Sequence, residues 1–559
     1  MSRLENKLEL GPLRISEAEI GEAVRQALTR RYPIKESESI GSYVLRHAEA
    51  EPAAIAIASG SARITYRDLV SRAADTRDVL VRAGCRGGET VAVIGGRSVE
   101  TVAIFLALES LGATYVPIEQ SWPQARKRTV LEHSRATYLV VHGDVGAESL
   151  AADSIGTLCE SVVIPPRPKD VLAQDWDGRI GGGSVLRVSC DGSELRYLIF
   201  TSGTTGSPKG AAVEHRGLMN HLWAKVLDLE LSGDDVVAFT APLAFDISIW
   251  QMLAPLLVGG CVAVLADSDL SFPRRLCSAL RSTGATVAEF VPTVVDWLVN
   301  GLRDGGGLVD LRWLISTGEE LLPALAERVV DALPDVRLLN AYGPTECSDD
   351  VTHHVVSRED LQESRLPVGT PIINAALYVL CQDGDTWRAA RTGEVGELFV
   401  GGVPVGAGYP DDPGATARAF FRDVLDPTSP TGRLYRTCDA ALVRDGRIYC
   451  LGRLDRQVKI SGVRMELGEI ETVLSRHPAI RQCAVVVDDS KGPAELVAYY
   501  VAMPGAFLER DELVELFSAA LPVAMVPSRL CEVEALPLSP NGKVDHTILN
   551  QRFSAPAGD

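Results

Sequence analysis

The stretch YLIFTSGTTGSPKGAAVEH (Tyr197–His215) decides the fold, because it joins an apolar strand to a loop suited to an anion. The loop Thr201–Gly210 is rich in glycine and hydroxyl side chains and carries one lysine, Lys209. Glycines let the backbone approach an anion and turn N–H groups towards it, and hydroxyls with an ammonium complete a phosphate cradle. The loop is not a Walker P-loop, because Pro208 precedes the lysine and a glycine follows it.

The segments on either side of this loop alternate strands with helices. Thr90–Gly95 reads as a buried strand, Ser98–Gly112 as a helix with a glycine stop, and Thr114–Ile118 as the next strand. The same rhythm returns at Ala285–Pro292 and Leu311–Thr317. This order predicts βαβ units with parallel sheets, which means an α/β fold.

The two ends of the chain have a different character. Residues 1–38 form an N-terminal extension in which Ile15–Tyr32 has helical spacing. We expect this helix to pack on the body, with a docking helix for a partner as the alternative. After Arg433, period-two alternation around the DGR turn (Asp445–Arg447) predicts antiparallel hairpins. A small α+β unit follows, and the predicted domains are therefore 1–38, 39–454 and 455–559.

Composition excludes several classes of protein. The 559 residues carry 55 Lys and Arg against 74 Asp and Glu, a net charge of −19, which argues against a nucleic-acid binder or a protein that docks on anionic lipid. The 11 cysteines are scattered without a CxxC pair, so neither a disulfide framework nor a zinc site is expected, and a reduced cytoplasm fits best. Ile247–Ala266 has no charge, but Gln251, Pro255 and the pair Gly259–Gly260 predict a helix, a turn and a strand rather than a membrane span.

Ten short motifs follow one another along the chain, from about residue 39 to about residue 549. Beside TSGTTGSPKG they are ITYRDL (Ile64–Leu69), LESLGATYVPIE (Leu108–Glu119), AFDIS (Ala244–Ser248), NAYGPTE (Asn340–Glu346), GELFVGG (Gly396–Gly402), YRTCD (Tyr435–Asp439), GRLDRQVKISGVRMELGEIE (Gly452–Glu471), LPVAMVP (Leu521–Pro527) and NGKVD (Asn541–Asp545). This set resembles the adenylate-forming enzyme superfamily, and specifically the amino-acid adenylation domains of nonribosomal peptide synthetases. The resemblance implies a large N-terminal domain with parallel sheets and a small, mobile α+β C-terminal domain.

The resemblance also implies a role for individual residues in binding ATP and Mg²⁺. Tyr342 would stack on adenine, Asp439 would bind both ribose hydroxyls, and Arg453 would assist there. Thr345 would touch the α-phosphate and Glu346 would hold Mg²⁺. The residues that would handle the phosphates are Thr201, Ser202, Gly203, Thr204, Thr205, Gly206 and Lys209.

Two further implications concern the reaction cycle. Lys543 would stabilise the charge that builds on the α-phosphorus when a carboxylate attacks it. The small domain would then rotate about a hinge at Asp455 so that a thiol attacks the acyl-adenylate. No carrier domain follows NGKVD, so the acceptor is expected to be a separate phosphopantetheinylated carrier protein, or a small amine or other nucleophile. An MbtH-like activator protein is a further candidate partner.

The substrate pocket can be inferred from the same motifs. Asp246 matches the family's ligand for an α-ammonium, which implies an α-amino acid. The carboxylates of Glu289, Asp349 and Asp350 would be costly to bury unpaired, so a cationic side chain is expected. Because Trp250 fills volume, the pocket should be short, which favours 2,4-diaminobutyrate, then ornithine and lysine. Beside these residues the predicted lining is Ile247, Ile315, Thr317, Gly318 and Ala341. The alternative is that Asp349 or Asp350 caps a helix or faces solvent.

The sequence departs from the family at two positions, and three rival functions compete with amino-acid adenylation. Cys438 stands where the family has glycine, and Ala407 stands where it has arginine. An amide- or CoA-forming ligase of the same superfamily is the leading rival, although such enzymes have no ammonium for Asp246 to bind. A non-catalytic scaffold is disfavoured by the retained Lys543, Glu346 and Asp439. An aminoacyl-tRNA ligase fits neither the motifs nor the net charge.

Overall fold

The computed structural model describes residues 10–143, 159–164, 186, 189–202, 208–302, 307–460, 462–489, 494–506, 508–537, 544 and 548–549. Its helices within these residues are α1 (Glu17–Gln26), α2 (Ile40–Ala50), α3 (Tyr66–Arg82), α4 (Val99–Leu111), α5 (Gln124–Ser134), α6 (His215–Asp228), α7 (Ile247–Leu257), α8 (Asp267–Leu270), α9 (Pro273–Thr283), α10 (Pro292–Leu302), α11 (Pro323–Ala332), α12 (Pro413–Ala419), α13 (Leu467–Ser475) and α14 (Arg510–Ala520). Most of the predicted loop 165–193 lies outside the described residues.

The strands of the described chain form five sheets. In chain order the strands are β1 (Leu28–Thr29), β2 (Ile55–Ser59), β3 (Ala62–Thr65), β4 (Thr90–Gly95), β5 (Thr114–Glu119), β6 (Tyr138–His142), β7 (Glu160–Ile164), β8 (Leu195–Thr201), β9 (Lys209–Glu214), β10 (Val236–Phe239), β11 (Cys261–Val264), β12 (Val287–Phe290), β13 (Trp313–Ser316), β14 (Arg337–Tyr342), β15 (Thr352–Val355), β16 (Thr370–Pro371), β17 (Ala375–Asp383), β18 (Thr386–Ala389), β19 (Gly396–Gly402), β20 (Phe420–Arg422), β21 (Arg433–Arg444), β22 (Arg447–Arg453), β23 (Gln457–Ile460), β24 (Val463–Glu466), β25 (Ile480–Asp488), β26 (Glu495–Ala502) and β27 (Arg529–Glu532).

Two of the sheets are largely parallel, as the sequence predicts. The nine-stranded sheet has the order β16-β15-β14-β13-β12-β10-β11-β2-β3, and its strands from β14 to β2 run parallel. The six-stranded sheet has the order β7-β6-β4-β5-β8-β9. One large apolar cluster includes side chains of both sheets and of the helices packed on them. The predicted α/β fold is therefore confirmed.

The unit β4–α4–β5 illustrates why the pattern predicts the structure. Ser98 caps the start of α4 by accepting a hydrogen bond from Thr101 N, and Gly112 ends the helix at φ 72°, a left-handed value that glycine adopts without strain. Helix α4 is buried along almost its whole length and packs against α2, α3 and β5. Strands β4 and β5 pair in parallel from Thr90 opposite Thr114 onwards.

The N-terminal segment packs on the body of the protein. Helix α1 ends at Gln26, earlier than the predicted Ile15–Tyr32 helix, and Leu28 then pairs with Leu377 as an added antiparallel edge strand. Leu13 and Ala23 are buried in one apolar cluster with Trp387. The edge of β17 has backbone groups that need hydrogen-bond partners, and an extended strand at Leu28–Thr29 supplies them. The helix therefore ends before this strand.

The chain divides into two compact units, and the boundary late in the sequence falls between Leu454 and Asp455. The second unit comprises Ser121–His133, Phe200–Lys209 and Asp455–Asp559. Within it, β23 to β27, α13 and α14 form the predicted small α+β unit, whereas the hairpin predicted around Asp445–Arg447 is β21 and β22 of the first unit. The role of Asp455 as a hinge stays a prediction.

The uncharged stretch Ile247–Ala266 is a helix, α7, followed by the strand β11, as predicted. Among the described residues, no helix combines the length and the hydropathy that crossing a membrane requires. All 11 cysteines are free thiols.

Candidate active site

The carboxyl ends of three neighbouring parallel strands bring predicted pocket residues together. Glu289 on β12 lies opposite Ile315 on β13, and Ala341 lies near the end of β14 beside them. Ligands of open parallel sheets bind at this edge. Trp250 of α7 is fully buried in the same apolar cluster as Ile315 and Ala341, and Ile247 packs against that cluster.

A buried lysine that the sequence analysis missed lies among these residues. Lys225 of α6 is fully buried, and its Nζ lies 2.6 Å from Asp350 Oδ2 and 3.3 Å from Glu289 Oε1. The same ammonium lies 4.6 Å from the centroid of the Trp250 ring, and Trp250 Nε1 donates a hydrogen bond to the other oxygen of Glu289. Glu289 and Asp350 therefore have a cation that the protein itself supplies. The sequence analysis treated both carboxylates as unpaired.

The pKa values of this ion cluster follow from burial and pairing. Burial raises the pKa of Glu289 to about 7, although Lys225 works in the opposite direction. Burial also works against charge on Asp350, but Lys225 and His353 outweigh it and lower that pKa. For Lys225, burial opposes the charged form, and the carboxylates of Asp350 and Glu289 outweigh it and raise the pKa.

The cluster continues outwards through a histidine. His353 Nε2 lies 3.5 Å from Asp350 Oδ2, and His353 Nδ1 lies 2.8 Å from Asp228 Oδ2. Arg30 donates to the other Asp228 oxygen at 2.6 Å. The other oxygen of the Asp350 carboxylate, Oδ1, accepts a hydrogen bond from Thr317 Oγ1 at 3.3 Å. Asp350 is therefore held from several directions, and it neither caps a helix nor faces solvent.

Asp349 differs from its neighbour. Its side chain is buried, and its Oδ2 forms no hydrogen bond with any residue that the structure describes, although His221 Nε2 lies 3.3 Å away. Burial and the carboxylate of Asp246 raise its pKa well above the ordinary value. Burial and Lys225 lower the pKa of His221 to about 3, so that its ring is neutral at pH 7.

The backbone that carries Asp349 is strained. Ser348 and Asp349 have φ values of 65° and 91°, a left-handed region in which side chains other than glycine cost about 1–3 kcal/mol each. A Cβ at Gly343 would lie 1.9 Å from the carbonyl oxygen of Asp349, so this close approach requires glycine. Strain of this kind is typical of functional sites, because it fixes a side chain that relaxed backbone would not present.

Asp246 stands at the start of α7, and its Oδ1 accepts a hydrogen bond from Ile247 N at 3.0 Å. Tyr197 is buried nearby, and after burial itself the carboxylates of Asp246 and Asp349 are what raise its pKa. Asp246 and Asp349 therefore both lie close enough to Tyr197 to raise its pKa.

The predicted nucleotide residues of the larger unit also lie together. The hydroxyl of Tyr342 donates to Asp439 Oδ2 at 2.5 Å, and Arg453 Nη1 lies 3.3 Å from Asp439 Oδ1. Glu346 is buried in the short helical turn Thr345–Cys347, and its Oε1 accepts a hydrogen bond from Tyr409 at 2.6 Å. A carboxylate such as that of Asp439 can accept hydrogen bonds from both hydroxyls of a diol, and the ring of Tyr342 can stack on a planar ring system. The guanidinium of Arg453 lies beside the same carboxylate.

The remaining predicted residues are placed in part. In the second unit, Thr201 Oγ1 donates to Lys209 O at 3.4 Å and Ser202 Oγ donates to Arg464 O at 3.0 Å. Gly318 follows Thr317 with φ 84°. The residues that lie outside the described part of the chain are Gly203, Thr204, Thr205, Gly206 and Lys543.

Cys438 keeps the backbone conformation of the glycine that it replaces. Its φ is 59°, so a β-carbon occupies the left-handed region immediately before Asp439. Cys438→Gly is expected to stabilise the protein by about 0.5–1 kcal/mol, because relief of this strain exceeds the added entropy of the unfolded chain. Urea unfolding measures the change. Cys450→Gly, in the extended strand β22, should destabilise instead, and stabilisation by both substitutions would contradict the explanation from φ.

The parallel sheets, the buried acidic cluster around Lys225 and the group formed by Tyr342, Asp439 and Arg453 are consistent with an adenylate-forming ligase, and the family comparison shows this class. The model of the AMP-binding enzyme family matches residues 44–410, and that of the AMP-binding enzyme C-terminal domain matches residues 469–543. The chain belongs to the AMP-binding enzyme family.

Nonribosomal peptide synthetases are among the proteins that this chain is similar to. Zwittermicin A synthase ZmaJ of Bacillus cereus is 30% identical over 510 residues, which cover 89% of this chain and 92% of that protein. Tyrocidine synthase 1 of Brevibacillus parabrevis is 31% identical over 519 residues, which cover 92% of this chain and 45% of that protein. The chain spans a smaller share still of the plipastatin synthases of Bacillus subtilis (strain 168), 19% of each of two subunits.

Solved structures share the fold. Holo-PA1221, an NRPS protein containing adenylation and PCP domains, is 27% identical with a TM-score of 0.77, and the match covers 92% of this chain and 84% of that one. The amide bond synthetase McbA from Marinactinospora thermotolerans is 23% identical with a TM-score of 0.76, over 92% of this chain and 99% of that one. The second likeness is one of fold alone.

Proposed function

We propose that this enzyme uses ATP to adenylate a short basic α-amino acid, with 2,4-diaminobutyrate favoured and ornithine and lysine next. The aminoacyl group would then pass to the phosphopantetheine thiol of a separate carrier protein, in nonribosomal peptide or other natural-product biosynthesis such as that of antibiotics. The observation that carries the substrate proposal is the buried Asp349 oxygen that forms no hydrogen bond with the described residues.

The charge balance of the pocket supports a dibasic substrate even though Lys225 is present. The carboxylates of Asp350, Glu289 and Asp349 act on the one lysine, Lys225, and the carboxylate of Asp246 acts on Asp349. An α-ammonium on Asp246 would neutralise one of them, and Asp349 would still have no cation. A second ammonium at Asp349 would offset the cost of burying that carboxylate and would lower its raised pKa.

The first chemical step joins two anions. A carboxylate oxygen of the amino acid attacks the α-phosphorus of ATP, the bond from phosphorus to the bridging oxygen breaks, and pyrophosphate leaves. Lys209 and Lys543 would offset the repulsion, while Tyr342 and Asp439 would hold the adenosine. In the second step the carrier thiol attacks the carbonyl carbon and loses its proton, and AMP leaves as the anion.

Glu346 is suited to Mg²⁺, because this ion prefers oxygen ligands and binds through one or two carboxylates together with substrate phosphates. Its Oε1 accepts a hydrogen bond from Tyr409, which fixes the orientation of the carboxylate. The ion would supply charge neutralisation at the phosphates. Glu346 and Tyr409 are the residues that would position it.

An ATP–pyrophosphate exchange panel over basic, neutral and aromatic amino acids tests the proposed function. We expect exchange to be fastest with 2,4-diaminobutyrate and slow with neutral aliphatic amino acids. Preference for a neutral or aromatic amino acid would contradict a dibasic substrate, and exchange with aryl or fatty acids would favour a CoA-forming ligase.

Asp349→Asn is expected to lower kcat/KM for 2,4-diaminobutyrate by about one to two powers of ten, because a charged hydrogen bond worth about 1.5–3 kcal/mol is lost. Exchange with a mono-amino acid of similar length, 2-aminobutyrate, should change little. Asp385→Asn serves as a control, since the Asp385 side chain is 91% exposed. An equal loss for both amino acids would indicate a structural role for Asp349 instead.

The proposed acceptor of the aminoacyl group is the thiol of a carrier protein. The resemblance to an NRPS protein with adenylation and PCP domains supports a carrier protein, and an MbtH-like activator and a cytoplasmic location are proposed on the family alone. A second candidate is transfer to a small amine or to coenzyme A, because an acyl-adenylate reacts with any nucleophile that is positioned at its carbonyl carbon. Incubation with ATP, labelled amino acid and either a holo-carrier protein or a panel of amines separates the two.

A further inference from the structure

Lys225 lies among residues that are predicted to line the substrate pocket, although no motif of the sequence includes it. Its ammonium contacts Glu289, Asp350 and the Trp250 ring, which are three of the residues predicted to line the pocket. The side chain is fully buried, so its charge is compensated by neighbouring carboxylates rather than by solvent. Two carboxylates and the face of an indole are also the groups that would bind the terminal ammonium of a basic substrate.

The ammonium of Lys225 therefore lies where the terminal ammonium of a basic substrate could bind. Glu289 is satisfied by Lys225 and by Trp250 Nε1, and Asp350 is satisfied by Lys225 and Thr317. A substrate ammonium that reached this point would meet a like charge. Asp349, in contrast, has an oxygen without a hydrogen bond from the described residues, and it acts on the same region as Asp246.

We propose that Lys225 is a specificity-determining residue that sets the length of the substrate side chain. Its ammonium occupies the place between Glu289 and Asp350 that the ammonium of a longer basic side chain would take. A second substrate ammonium is therefore accepted only at Asp349, nearer to Asp246, and lysine is rejected by space and by charge. This inference rests on the proposed function, because it concerns how one dibasic amino acid is chosen over another.

Lys225→Ala in the full-length chain is the test, with ATP–pyrophosphate exchange measured for 2,4-diaminobutyrate, ornithine and lysine. The substitution removes three methylenes and the ammonium and leaves Glu289 and Asp350 without their cation. We expect kcat/KM for lysine to rise by about tenfold to a hundredfold relative to 2,4-diaminobutyrate. Propylammonium added to the variant should restore the original preference, because it replaces the missing part of the side chain.

A gain of lysine exchange cannot arise from misfolding. Lys225→Met keeps the volume of the side chain and removes its charge. The substrate lysine should remain excluded in this variant, because the space for its longer side chain is still filled. If Lys225→Ala does not fold, Lys225→Ala with Asp350→Asn leaves one buried carboxylate, Glu289, for the lysine ammonium, and the same shift is expected. A folded Lys225→Ala variant, or the double variant tested in its place, that keeps the wild-type order of preference would overturn the proposal, as would propylammonium without effect on Lys225→Ala.

The wild-type panel separates this inference from the proposed function. A wild-type preference for a neutral amino acid would overturn the proposed function. A wild-type preference for lysine over 2,4-diaminobutyrate would keep the dibasic class and overturn the role of Lys225. Lys35→Ala is the matched control, since the Lys35 side chain is 79% exposed, and it should leave the order of preference unchanged.

Discussion

Lys543→Ala is expected to slow aminoacyl-adenylate formation by about two to three powers of ten, the loss typical of removing one group that stabilises charge in a transition state. The position matches the lysine of the NGK motif in the adenylate-forming family. Because the negative charge grows only as the carboxylate reaches the α-phosphorus, the loss should appear in kcat, with KM for the amino acid little changed. Initial rates of ATP–pyrophosphate exchange at saturating ATP measure it.

Two controls make this result specific. Lys35→Ala, an exposed lysine remote in sequence, should keep the wild-type rate. Transfer of the aminoacyl group from chemically prepared aminoacyl-adenylate to a holo-carrier protein should be affected far less than adenylation, because Lys543 is assigned to the first step. A wild-type rate of exchange in Lys543→Ala would remove the proposed mechanism, whichever amino acid is preferred.

The sequence predicts well those helices and strands that are specified by residues close to one another in the sequence. The strand Thr90–Gly95 and the helix that ends before Gly112 are present with those bounds or within one residue of them. Their signals are a continuous β-branched run, a serine cap and a glycine that accepts left-handed φ, which all act locally. The N-terminal helix ends early because Leu28 pairs with Leu377, a partner that no local pattern reveals.

The same distinction applies to the site. Asp246 and Glu289 follow from motif positions, but the ion pairs of Lys225 join residues 64 and 125 positions apart. One signal was available: His221 and Lys225 stand four residues apart on one helix, so they share a face. A buried lysine requires carboxylate partners, and the three acidic pocket residues were the candidates.

The Lys225 cluster also predicts a large effect on stability that does not depend on the substrate. Lys225→Met is expected to lower the free energy of unfolding by about 3–5 kcal/mol, because it leaves Glu289 and Asp350 buried without a cation. Methionine has a similar volume, so little of the loss should come from a cavity. Urea unfolding of full-length protein, followed by tryptophan fluorescence, gives the change, and Lys35→Met is the exposed control.

The dependence on pH and on the partner residues identifies unpaired charge as the cause. In Lys225→Met the two carboxylates should have raised pKa values in the folded state, so the folded protein binds more protons than the unfolded chain and stability falls as pH rises. The penalty should therefore be larger at pH 8 than at pH 5. Adding Glu289→Gln and Asp350→Asn to Lys225→Met should recover most of the loss, since neutral amides need no counter-cation. A triple variant as unstable as Lys225→Met, with a penalty independent of pH, would mean that the lysine stabilises the core by packing alone.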